Sequence, residues 1–135
     1  MAREAVKVEL YGNNNDGDQR RFTCANATGI TKGTILKFAD PRTASASTGT
    51  ADIVAGIAAM DKVANDGSTS ISVWTNGIFE LYASGAIAVG ANVVTAAPGN
   101  YVKAVTDETA SFAIVVGHAL EAASDGEVIN VRVII

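Results

Sequence analysis

The sequence predicts a mainly β chain: a small barrel or sandwich-like domain with short helices or none, an internal duplication and an extended N-terminal arm. Three observations predict it. Short apolar or alternating segments recur at close spacing, separated by turns rich in Gly, Asn and Asp. The Ala-rich stretches 53–64 and 118–124 are broken by β-branched residues and glycines and carry no 3.6-residue stripe. One pattern, an apolar run through a glycine, a polar turn with Asp-Gly and an alternating strand, occurs at 53–73 and again at 114–133.

The elements follow in order. "EAVKVELYG" (4–12) alternates, with Val6, Val8 and Leu10 on one face and Lys7, Glu9 and Tyr11 on the other, as a half-buried strand does. "NNNDGD" (13–18) is dense in turn formers. "RRFTCANA" (20–27) alternates weakly, and "TILKF" (34–38) is a short strand closed by Asp40-Pro41. "RTASASTGTAD" (42–52) has no periodicity and reads as an exposed, mobile loop. "DIVAGIAAM" is an apolar strand through Gly56, and "STSISVW" (68–74) alternates. "TNG" (75–77) signals a tight turn before "IFELYA" (78–83). "NVVTA" (92–96), "NYVKAV" (100–105), "FAIVVGHAL" (112–120) and "EVINVRVII" (127–135) complete the set.

The repeat extends beyond those two stretches. The only two prolines each follow a glycine by eight residues, Gly33 to Pro41 and Gly90 to Pro98. Gly56 then lies over Gly117, and Asp66-Gly67 over Asp125-Gly126. Residues 32–74 and 89–133 therefore read as two copies of one strand–turn–strand–strand unit. A half-sheet with one apolar face cannot bury that face alone, so each copy is expected to form one wall of a shared barrel. The alternative is coincidental likeness in a chain rich in Ala, Val and Gly. The expected organisation is an arm and strand segment at 1–30 and a β-rich domain at 31–135.

At 135 residues and 48% apolar content the chain is long enough to bury a core. One cysteine, Cys24, forms no internal disulfide. The opening "MAREAVKVEL" mixes charges with apolar residues, unlike a signal peptide, and no apolar run approaches the ~20 residues that span a bilayer. Synthesis in a cytoplasm and no membrane partner are expected. The net charge of −4 is uneven. Through Arg42 there are seven basic and five acidic residues; from Thr43 there are three basic and nine acidic. The acidic body argues against nucleic acid as a partner.

No constellation carries chemistry, and no catalytic, cofactor-binding or metal site is expected. His118, the lone histidine, sits in "VVGHALE" without a motif that would supply a nucleophile or acid, and reads as a partly buried structural residue. Cys24 lies mid-strand among small residues and reads as a small hydrophobe rather than an activated thiolate. "NNNDGD" has calcium-loop character, but Thr23 stands where the pattern requires Glu. "AAMDKV" (58–63) is similar to the lysine-bearing tips of carrier domains, but Asp61 intervenes and the second copy lacks the lysine. "NAT" (26–28) fits a glycosylation acceptor, without a secretory signal to give it meaning.

The run "VAGIAAMDKVANDGSTSISVWTNGIFELYASGAI" resembles the head decoration proteins of tailed phages, the lambda-type capsid-stabilising family. The shared features are the apolar "GIAA", the polar turn, the alternating Ile-x-Val strand and the "GIFELY" return. "VVGHALEAASDGEVINVRVII" is similar to the closing segment of short capsid cement proteins. The likeness is moderate over 53–135, weak over 31–52 and absent over 1–30. It implies a non-enzymatic structural virion protein. Such a protein sits on the outside of the expanded capsid, usually as a homotrimer, and stabilises the shell. Its partners are the major capsid protein and other copies of itself. It also implies an N-terminal capsid-binding arm, for which Val6, Val8 and Leu10 are the candidate contacts, by strand addition to a capsid sheet edge. Another phage structural module, a tail-tube, spike or fibre β-domain, is the alternative. A small β-domain enzyme or carrier is the third reading.

Overall fold

The computed structural model describes residues 4–10, 19–40, 42–96, 100–105 and 114–135. They contain eleven strands and no α-helix. The strands are β1 (Val6–Glu9), β2 (Gln19–Thr23), β3 (Ile35–Asp40), β4 (Thr43–Ala46), β5 (Val54–Ala58) and β6 (Ser70–Trp74). They continue with β7 (Asn76–Ala83), β8 (Asn92–Ala96), β9 (Tyr101–Ala104), β10 (Val115–Ala119) and β11 (Val128–Ile134).

β2 to β6 close into a barrel of order β2-β4-β3-β5-β6, with β6 returning to β2. β7 to β11 close into a second, of order β7-β9-β8-β10-β11, with β11 returning to β7. The two orders are the same. Both rings close through a parallel pair, Thr23 with Thr43 and Tyr82 with Tyr101; the remaining pairs in each ring are antiparallel. Hydrogen bonds repeat with the topology. Gly33 N–H donates to Ala58 O at 2.9 Å and Gly90 N–H to Ala119 O at 2.8 Å. An isolated antiparallel bridge joins Ile30 to Lys62 in the first barrel and Ile87 to Ala123 in the second.

The duplication is therefore real, but each copy is a complete barrel, not one wall of a shared one. The closing strand of each ring is the element that the sequence placed elsewhere. β2 falls in the segment 1–30, and β7 falls between the repeats. Two other expectations change. Residues 43–46 are strand β4, and Asp52 fixes the turn after them. It accepts the Ser47 hydroxyl at 2.8 Å and the backbone N–H groups of Thr48 and Gly49 at 3.1 and 3.0 Å. "TNG" is not a hairpin turn. β6 pairs with β2 and β5, β7 pairs with β1, β9 and β11, and Thr75 carries the chain from one barrel to the other.

The first barrel is filled by Phe22, Cys24, Leu36, Ala44, Ala55, Ala58, Ile71 and Val73. Ile35, Val54, Ile57 and Trp74 point out of it into the core of the second, beside Phe79, Leu81, Val116 and Val131. This explains the unbroken apolar run of β5, buried at all five positions. One face fills its own barrel and the other fills the junction. Polar groups pin the junction too. Ile35 N–H donates to the buried Asn100 Oδ1 at 2.9 Å. Ala51 and Asp52 N–H donate to Thr95 O and Oγ1, both at 2.9 Å.

Candidate functional site

The N-terminal segment lies on the second barrel. β1 pairs antiparallel with β7, Val6 opposite Glu80 and Lys7 opposite Phe79, with a bulge between Lys7 and Glu9. The bulge breaks the simple alternation. Val6 and Val8 remain 53% and 49% exposed, whereas Leu10 turns inward and is buried with Ala5 in the shared core. The three candidate contacts thus do not share a face: two are presented and the third is an anchor. Ala5 N–H also donates to Gly33 O at 2.8 Å. Gly33 has φ +91°, and a Cβ there would come within 2.6 Å of Ala5 O, so only glycine lets the segment pass this closely. Among the described residues, the outer edge of β1 pairs with no strand.

Next to this edge lies a groove of about 320 Å³ lined by Ala5, Val6, Lys7, Lys32 and Trp74. The Lys7 and Lys32 ammoniums sit 5.7 and 5.6 Å from the centre of the Trp74 ring. Both are within cation–π range. Trp74 also packs against Phe79, ring centres 5.6 Å apart. The sequence reading missed this cluster because its three members are far apart in the chain. The excess of basic residues before Thr43 was the available signal.

The other singled-out residues fall elsewhere. His118 is half-buried in β10, opposite Asn92 and Arg132, and lies in the second barrel while Cys24 lies in the first. Cys24 is buried, and burial raises its thiol pKa, outweighing the opposing charge of Lys62. Lys62 is not a projecting tip. It is 4% exposed, and its ammonium donates to Asn26 O, Val63 O and Asp66 Oδ1 at 2.9, 3.0 and 3.2 Å. Asn26, of the "NAT" triplet, accepts Gly67 N–H at 2.7 Å and so belongs to the same turn. The 13–18 turn lies outside the described residues. Among the described residues no cluster of three metal-ligating side chains occurs, and no helix is long and apolar enough to cross a membrane.

Two fused five-stranded barrels, with β1 added at the edge of the second, define a small β-protein. Residues 15–135 match the profile of phage cement proteins, and the chain belongs to the phage cement protein family. It is a structural protein associated with the phage capsid. No curated protein matches the chain. Among solved structures, the N base of the head fibre gp8.5 of bacteriophage phi29 is similar. The TM-score is 0.57 at 19% identity, over 86% of this chain and 94% of that one. This likeness is one of fold.

Proposed function

We propose that the chain binds the outer surface of the expanded capsid as a homotrimer and reinforces the shell, without catalysing a reaction. The observation that carries the contact is the edge of β1: two exposed valines on a strand whose outer side pairs with nothing among the described residues. Exposed apolar edge strands are covered in stable proteins unless they are used. A capsid segment that pairs with β1 covers Val6 and Val8, while Leu10 and Ala5 hold the strand on its own barrel. Three such contacts per trimer add avidity to a modest single-site affinity. Cosedimentation with expanded capsids tests this reading, with Val6→Ser/Val8→Ser as the variant of the contact; loss of binding is expected. Unchanged binding removes β1 as the contact.

A fibre component remains a second reading, favoured by the fold shared with a head-fibre base. A chain in that role carries a further protein on the virion. Isolation of virions with the chain bound to capsid alone, and no fibre attached, argues against it.

A further inference from the structure

We propose that the groove beside β1 is a carboxylate-binding subsite that takes an acidic, extended segment of the capsid protein. This deepens the capsid-binding reading above and rests on it. Lys7 and Lys32 come from elements 25 residues apart in sequence, yet both ammoniums are held over the one ring of Trp74. Two like charges gathered on one side chain repel each other, and among the described residues neither has a carboxylate partner. Asp61 accepts the Lys32 backbone N–H, at 2.6 Å, rather than its ammonium. The indole N–H of Trp74 is buried and also lacks a partner among the described residues. The groove thus offers two ammonium donors around an aromatic wall, and its free volume accommodates a side chain.

The internal duplication supplies a comparison within the molecule. Trp74 pairs with Ile57 as Arg132 pairs with His118, and Lys32 precedes Gly33 as Val89 precedes Gly90. The scaffold was built twice, but the second barrel has neither the ring nor the lysine. Trp74 serves the shared core, but the two exposed lysines beside it have no counterpart in the repeated scaffold. The rest of the chain is acidic, with a net charge of −6 from Thr43 onward. A long polyanion is repelled by that body, whereas a short acidic segment reaches only the groove. β1 forms one side of the groove, so a strand added along β1 brings its side chains to the two lysines.

Trp74 is the only tryptophan, so its emission reports directly on the groove. The full chain is titrated with a Glu hexapeptide and with a Gln hexapeptide. The expected result is a saturable emission change with Glu alone, weakened by added salt and lost in Lys7→Gln/Lys32→Gln. The same double variant should bind expanded capsids about tenfold more weakly or worse, and Lys7→Arg/Lys32→Arg should restore binding. Both lysines are exposed, so an unchanged unfolding temperature serves as the folding control. No response to the Glu peptide, together with wild-type capsid binding by the double variant, overturns the subsite while leaving the capsid reading intact. A Glu response without any capsid binding by the unaltered chain overturns the capsid as the occupant. Loss of self-association in the double variant identifies a second copy as the occupant instead, and likewise overturns the proposal.

Discussion

Gly56 and Gly117 hold the same place in the two barrels. Each follows a bulge that interrupts pairing with a neighbouring strand; across it, Gly56 faces Leu36 and Gly117 faces Val93. A Cβ at Gly56 would fall on the Val73 side chain and the Trp74 carbonyl, and one at Gly117 on the Arg132 carbonyl. The bulge and glycine bend each strand over the ring, which a five-stranded barrel needs to close. Gly117→Ala forces backbone apart and is expected to cost about 3 kcal/mol, the upper end for overpacking, or more. Gly56→Ala, which meets the Trp74 carbonyl as well as the buried Val73 side chain and sits at φ +146°, should cost a comparable amount. Chemical denaturation of both variants checks this; a loss below ~0.5 kcal/mol at Gly117 would show that the strand relaxes freely.

Lys62 staples a turn that the second barrel closes with Ala123 at the bridged position. Lys62→Met keeps the buried stem but leaves the Asn26 and Val63 carbonyls without their donor. A loss of roughly 1–3 kcal/mol is expected from such unpaired groups. Thermal unfolding measures it, and the reciprocal Ala123→Met variant tests whether the second barrel has room for the longer side chain.

Asp52 gives the fold a pH dependence. Partial burial works to raise its pKa, but hydrogen bonds from Gly49 N–H, the Ser47 hydroxyl and Thr48 N–H, with the charge of Lys37, hold it below the usual carboxylate value. Its stabilising contribution is therefore fully present above the unfolded-state value near 4 and is lost as pH falls through the lower folded value. Asp66 is lowered as well, chiefly by the Ser68 N–H, so both act in one direction. The unfolding temperature should fall below pH 4, and the fall should be smaller in Asp52→Asn. An equal fall in the variant assigns the dependence to other carboxylates.

Asn100 couples the barrels. It is buried, and its Oδ1 is the acceptor for Ile35 N–H, across the junction. Asn100→Ala orphans that donor at a cost of about 1–3 kcal/mol. Differential scanning calorimetry then distinguishes two outcomes. One weakened, still single transition is expected, because Ile35, Val54, Ile57 and Trp74 remain in the shared core. Two resolved transitions would mean that the barrels unfold independently.

Cys24 supplies a chemical probe of the first barrel. Burial both raises its thiol pKa and blocks access. A thiol reagent at mildly alkaline pH should label it only when that barrel opens, at a rate that follows denaturant. Fast labelling of the folded protein would contradict the burial.

The strands were readable where one face is solvated and the other fills a core. β7, buried at every second position, is the clearest case. The duplication was readable where glycine marks backbone geometry, at Gly33 and Gly90, Gly56 and Gly117. The closing strands were not. β2 reads Gln-Arg-Arg-Phe-Thr and β7 reads Asn-Gly-Ile-Phe-Glu-Leu-Tyr-Ala. Arg20 stands exposed where Phe79 is buried, each opposite a core valine, because Phe79 packs against Trp74 in the shared core. β4 escaped notice because its Thr, Ala and Ser carry little hydrophobic signal, and its place is set by pairing with β3. Leu10 alternates with Val6 and Val8 in sequence yet faces inward, because a bulge leaves no mark in alternation. The groove was illegible for a different reason: Lys7, Lys32 and Trp74 meet only after the N-terminal strand docks.

Capsid association through the exposed edge of β1 is measured by cosedimentation with capsids before and after expansion. Saturable binding to expanded capsids, weak or absent on the unexpanded form and reduced by deletion of residues 1–12, is the expected result. Absence of binding to both forms at micromolar concentration would rule out this mode of capsid association.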